Sequence, residues 1–208
     1  MPPLPPPQDA LTDGVVSLRV PSVGDVDAIV GYARQDGGLD GSWLPSLYSG
    51  ASRERCFWMV ADWLAGWVGE GSCNGPALVL TVPGSPAVVG QVGFIPHSEG
   101  AIELVHGTAP SWRGQGLATR AVWLAAGWLI RERGAQTVEL RVGRDRLACQ
   151  RVAVKAGFSL AGTVSSVVGA TGKVFELLRY TIQAADTGVH LLHSIDQAAE
   201  KRLTGPQP

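Results

Sequence analysis

Residues 111–133 constrain the fold more than any other stretch. Ser111-Trp112-Arg113-Gly114-Gln115-Gly116 reads as a glycine-rich turn. From Gly116 to Arg133 no proline interrupts a run that carries Leu117, Ala121, Leu124, Ala125 and Leu129 on one helical face. That pattern predicts a long helix, ended by Gly134. Residues 101–109 read as a strand, so the glycines sit where a strand hands over to a helix. The first turn of a helix has N–H groups without intrahelical partners and carries about half a positive charge. Such a place suits an anion, and Gly114 and Gly116 let the backbone approach one closely.

The flanking sequence supplies the other layers. Residues 15–20 read as a strand, and Pro21-Ser22 followed by Asp25 reads as a helix start with Ser22 as its cap. Residues 35–50 form a loop rich in glycine yet apolar, with Trp43, Leu44, Leu47 and Tyr48. Phe57, Val60, Ala61, Leu64 and Val68 recur at helical spacing over residues 52–68. Residues 77–82 and 88–95 predict a hairpin across Pro83-Gly84-Ser85-Pro86. After the long helix come a strand (137–142), a short helix (147–156) and a closing hairpin (158–168 with 174–182). The order βααβββαβαββ implies an α/β (α+β) layered sheet with helices on both faces.

Two ends stand apart. Residues 1–13 contain Pro2, Pro3, Pro5, Pro6 and Pro7 and are expected to be a disordered leader, outside the domain at 14–185. In the tail at 186–208, Val189, Leu192, Ile195, Ala199 and Leu203 are spaced for an amphipathic helix, which either covers its own core or makes a homodimer contact.

Bulk properties exclude several functions. A chain of 208 residues fits one domain, and 45% hydrophobic residues with seven Trp rule out disorder as a whole. With a net charge of −1 there is no global positive field for nucleic acid or an anionic membrane. No window reaches the ~18 apolar residues of a membrane span. Cys56, Cys73 and Cys149 are odd in number and widely spaced, which favours neither a disulfide framework nor a Cys/His metal site. A cytoplasmic protein that uses no metal is the expectation.

Other nucleotide motifs fail on spacing. A dinucleotide fingerprint needs glycine where Thr119 stands, and a P-loop needs a Gly-Lys-Ser/Thr that is absent. An anion site and a ligand-free glycine turn both remain. Arg113-Gly114-Gln115-Gly116-Leu117-Ala118 resembles the signature Gln/Arg-x-x-Gly-x-Gly/Ala of the GNAT superfamily of N-acyltransferases. Downstream, Gln150-Arg151-Val152-Ala153-Val154-Lys155-Ala156-Gly157-Phe158 resembles the short helix and Gly-Phe strand start of that family. Upstream, Glu103-Leu104-Val105-His106 with Ala109-Pro110 is similar to the RimJ/RimL-type branch, which often has Glu-Leu-Gly-Tyr there.

The resemblance covers roughly residues 15–182. It implies the GNAT fold, a mixed and mostly antiparallel seven-stranded sheet splayed between its fourth strand (101–109) and fifth (137–142). It implies an acyl-CoA-dependent N-acetyltransferase that moves an acetyl or related acyl group to a primary amine of a small molecule or a protein N-terminus. Acetyl-CoA would lay its pyrophosphate on the amides of Gln115, Gly116, Leu117, Ala118 and Thr119, beside Gly114, with Arg113 and Arg120 adding charge. Its pantetheine arm would pair near Thr108 and Ala109.

Glu103 is the candidate base, directly or through water, with a structural carboxylate as the alternative. Where the branch has Asn-x-x-Ser, this chain has Arg146-Leu147-Ala148-Cys149. Cys149 is either a proton donor to the CoA sulfur or inert filler, and the changed pair leaves a non-catalytic acyl-CoA-binding regulator as the alternative function. His106 either faces the site or is paired inside the sheet. The resemblance frames the acceptor by residues 35–50 and 166–176, where Trp43 and Tyr48 offer flat contacts and Asp36, Asp40 and Glu176 could attract an ammonium group.

Overall fold

The computed structural model describes residues 4–35, 52–70, 75–85, 87–97, 100–168 and 173–185. The strands are β1 (Leu11–Thr12), β2 (Ser17–Arg19), β3 (Ala77–Thr81), β4 (Val88–Pro96), β5 (Ala101–Thr108), β6 (Thr137–Gly143), β7 (Ser159–Val168) and β8 (Lys173–Gln183). The helices are α1 (Val26–Gln35), α2 (Arg53–Trp67), α3 (Leu117–Arg133) and α4 (Leu147–Lys155). One sheet contains all eight strands in the order β1-β2-β3-β4-β5-β6-β8-β7. Its neighbours are antiparallel except β5 and β6, which run parallel.

Strand alternation explains the layers. In β3, Leu78 and Leu80 pack into the core under α3, whereas Ala77 and Val79 pack against Val26 and Ile29 of α1 and Met59, Val60 and Trp63 of α2. A strand buried on both faces reads as a continuous apolar run, as Ala-Leu-Val-Leu does here. The α3 stripe behaves as its spacing predicts: Leu117, Ala121, Leu124, Ala125 and Leu129 are all buried. Covering each such leucine is worth about 1.5–3 kcal/mol. Gly134 ends the helix in the left-handed conformation, φ 68°, and Ala135 N–H reaches back to Leu129 O at 3.0 Å.

The parallel pair positions the site. β5 and β6 pair only at Ala101↔Thr137, Ile102↔Val138 and Glu103↔Glu139. Beyond those residues β5 continues against β4 as far as Thr108, while β6 continues against β8 as far as Gly143. The two strands therefore part like a V, as expected, because each keeps a full ladder on its outer edge after losing the inner one. On the β5 side, β4 lies very close: a Cβ on Gly90 would come within 2.2 Å of Gly107 O. Glycine at 90 is what lets β4 follow β5 to the open end of the V.

The leader differs from its sequence expectation over residues 4–13. Leu11 pairs with Leu18 to form the extra, eighth strand, and Leu4 and Leu11 pack against the core. Arg133 Nη2 donates to Pro6 O at 3.1 Å, and Arg120 Nη1 donates to Asp13 Oδ2 at 2.5 Å. Prolines lack donors, so they lose none when such a segment lies along an edge. The tail at 186–208 lies outside the described residues, as do residues 36–51 with Asp36, Asp40, Trp43 and Tyr48.

Candidate active site

The start of α3 is built from backbone. Gly114 and Gly116 take φ of 78° and 77° with open space where a Cβ would stand. Any other L-residue there would cost roughly 1–2 kcal/mol. The first bond of the helix runs from Arg120 N–H to Gly116 O at 3.2 Å. The amides of Gln115, Gly116, Leu117, Ala118 and Thr119 meet no acceptor among the described residues. Leu117 is buried in the core and anchors the turn, while Gly114, Gln115 and Gly116 are exposed. Arg113 Nε donates to Thr108 O at 3.0 Å, and Gln115 Nε2 donates to Ser111 O at 3.3 Å. Arg113 thus ties the helix start to the end of β5. Arg120 is held by Asp13, so its charge is already shared.

The V opens beside this turn. His97 N–H bonds Ala101 O at 2.9 Å and Ala109 N–H bonds Val89 O at 2.8 Å, which sets the phase of the β4/β5 ladder. Odd-numbered residues of β5 therefore point their N–H and C=O at β4, and even-numbered ones point theirs at the gap. The amides facing the gap past the last paired residues are those of His106 and Thr108. Ala109, expected to offer its amide, has committed it to β4. Thr108 Oγ1 is buried with no partner among the described residues.

At the closed end of the V, side chains take over. Glu103, Glu139 and Arg141 share the sheet face opposite α3, because Ile102, Leu104, Val138 and Leu140 occupy the α3 face. Arg179 stands beside Arg141 in β8. Arg141 Nη2 lies 2.6 Å from Glu139 Oε1, and Arg141 Nε 3.4 Å from Glu103 Oε2. Arg179 Nη1 is 3.8 Å from Glu139 Oε2. His97 Nε2 joins Glu103 Oε2 at 2.8 Å. His97, Glu103 and Glu139 offer ligand atoms within 4.8 Å of one another. The positive charge that these carboxylates call for comes from the two guanidinium groups. Burial pushes the Glu103 carboxyl up from its ordinary value, against the opposing pull of the His97 bond and the Arg141 charge.

The remaining candidates fall around this frame. Cys149 lies in the first turn of α4, half-buried against the α3 core, so it approaches from the face opposite Glu103. Burial raises its thiol pKa, while Arg146 and Arg113 pull the other way. The thiol therefore stays protonated at neutral pH, which suits a donor better than a nucleophile. Burial lowers the His106 imidazole to about 4, so it is neutral in the working range. Glu176 is not brought to the cluster. It follows the parity of Leu178 and Tyr180, on the α3 face, and bonds Arg144 Nε at 2.9 Å. That bond, with the Arg144 charge, lowers its pKa.

His97, Glu139, Arg141 and Arg179 carry no signature of their own. Only His97 had a legible sign, the short turn after Pro96 that puts it on one face with Glu103.

Comparison with known proteins agrees with this architecture. A probable GNAT-family acetyltransferase from Chromobacterium violaceum superposes with a TM-score of 0.70 at 21% identity, covering 91% of this chain and 93% of that one. RimL, a ribosomal L7/L12 alpha-N-protein acetyltransferase in complex with coenzyme A, gives 0.70 at 16% identity, covering 84% and 98%. A ribosomal-protein-S5-alanine acetyltransferase from Vibrio fischeri gives 0.69 at 12% identity, covering 86% and 98%. Likeness at these identities speaks for the fold. No curated protein matches the sequence. Residues 16–159 match the acetyltransferase (GNAT) domain, which takes in the helix-start turn, the V and Glu103, and the chain belongs to that family of acetyltransferases.

Proposed function

We propose that the protein transfers an acetyl or related acyl group from acetyl-CoA to a primary amine by direct attack in a ternary complex. The observation that carries this reading is the run of unbonded amides at Gln115–Thr119 beside the gap between β5 and β6. A diphosphate matches that run in charge and in donor count, with Arg113 at its rim. The gap-facing amides of His106 and Thr108 suit the amide groups of a pantetheine arm laid in as an added strand. The donor supplies an activated thioester carbonyl, and the chain's own work is to place it where the V closes. Such placement can remove ~7–11 kcal/mol of barrier, more than one proton-transfer group, which adds ~10²–10⁴ in rate.

Glu103 is the base, directly or through water, and its raised carboxyl accepts a proton near neutral pH more readily than an ordinary one. Cys149 is the proton donor to the leaving sulfur from the other face. Names among the structural neighbours favour a protein N-terminal amine, in keeping with the RimJ/RimL-type branch. The apolar residues at 35–50 favour a small or partly hydrophobic amine. The three widely spaced cysteines fit a reducing cytoplasm. No helix among the described residues is long and apolar enough to cross a membrane.

A second reading, a non-catalytic acyl-CoA-binding regulator, is favoured by Arg146 and Cys149 in place of the branch's usual pair. Calorimetry with acetyl-CoA and thiol release with a panel of small amines and N-terminal peptides test both. Binding with turnover supports the transferase, binding without turnover on any amine supports the regulator, and no binding sinks both.

A further inference from the structure

The proposed base is bonded to a second titratable side chain. His97 follows β4 at a tight turn, where its N–H donates to Ala101 O at 2.9 Å and its carbonyl accepts from Gly100 N–H at 3.2 Å. Ile95 stands opposite Glu103 in the ladder, so His97 is the diagonal neighbour of Glu103 on the same sheet face. Its Nε2 is 2.8 Å from Glu103 Oε2 and 3.6 Å from Glu139 Oε1. Its Nδ1 meets no partner among the described residues. The His97 side chain is 25% exposed, against 13% for Glu103 and 2% for Glu139, so His97 is the member of this trio that reaches water most readily.

An ionised carboxylate only accepts hydrogen bonds, so with Glu103 charged the proton of the 2.8 Å contact belongs to Nε2. Nδ1 then carries the lone pair. We infer that His97 and Glu103 act as one base, in which Glu103 fixes the tautomer and Nδ1 of His97 takes, through water, the proton that the acceptor's ammonium group must lose. This rests on the transferase reading.

The proton balance closes. An N–H bond of the ammonium breaks and its proton goes to Nδ1. The freed amine forms the N–C bond to the thioester carbonyl, the C–S bond breaks, and the second amine proton ends on the departing sulfur. The imidazolium returns its proton to water. Among the described residues the charged groups facing the imidazole are Glu103 from β5, Glu139 and Arg141 from β6, and Arg179 from β8.

The test uses the full chain. His97→Gln keeps an N–H donor for Glu103 but has no basic nitrogen. Its kcat near pH 7 is expected to fall about 10²-fold, with acetyl-CoA affinity and Tm unchanged. In His97→Ala, imidazole added to the buffer is expected to restore part of the rate. Wild-type kcat and pH profile in His97→Gln overturn the inference, and so does a loss that follows Tm and ignores imidazole. If the wild type itself acylates no amine, the transferase reading has failed, and nitrogen NMR of the ring still judges His97. Nε2 protonated and Nδ1 bare at pH 8, relaxing to the free-histidine mixture in Glu103→Ala, is the expected result. A protonated Nδ1, or a ring indifferent to Glu103, overturns the pairing.

Discussion

The two ends of the gap between β5 and β6 are made of different material. The open end is backbone: unbonded amides at 115–119, two glycines with positive φ, and a tie from Arg113 to Thr108 O. The closed end is side chain: His97, Glu103, Glu139, Arg141 and Arg179 drawn from β6, β5, β8 and the turn after β4. A backbone site changes little when a surface side chain is replaced and changes much when a glycine is. A side-chain site does the reverse, because removing one partner leaves another buried charge uncompensated.

The largest effect should come from the closed end. Glu103→Gln is expected to lower kcat by ~10²–10⁴ while leaving acetyl-CoA affinity unchanged in calorimetry. Burial raises this carboxyl above 4.5, so the acid limb of kcat/KM should lie above that value and move in the variant. Equal losses in affinity and turnover would mean that the two ends are not separate.

Next comes the open end. Gly116→Val forces a branched residue into φ 77°, at roughly 1–2 kcal/mol, and should weaken acetyl-CoA binding about tenfold with kcat at saturation little changed. Arg113→Gln at the exposed rim should cost less than the glycine change, a few-fold at most by the ~0–1 kcal/mol of exposed charge contacts. The reverse ranking would shift the binding from backbone to side chain. Smaller still, Cys149→Ala should slow turnover less than tenfold, since a leaving thiol with an ordinary pKa near 8.5 needs little help. Smallest is Glu176→Gln, which should leave KM for every amine unchanged, because Glu176 is exposed, bonded to Arg144 and on the far face.

The same division explains what the sequence made legible. The α3 start could be read because a backbone site is local: Gly114-Gln115-Gly116 and the proline-free run are contiguous. Helix and strand positions followed from periodicity for the same reason. Glu103 was visible as a carboxylate in a strand, but its partners were not. Glu139 and Arg141 reach it only through the parallel pairing across α3, and Arg179 only through the β6/β8 register. Ala109 turns its amide to Val89 and not to the gap, which the sequence does not show because the phase of hydrogen bonding in a ladder is not written in side-chain alternation. The two-residue β1 has no legible pattern, because it is defined by pairing with the edge of β2 and follows a segment of prolines.

Amide NMR of the full chain during titration with coenzyme A tests the backbone site most directly. Resonances of residues 115–119 and the amides of His106 and Thr108 should shift and gain protection from exchange, while Ala109, already bonded to Val89, stays as it was. Shifts that leave 115–119 untouched, or a chain that takes up no coenzyme A at millimolar concentration, would contradict the account.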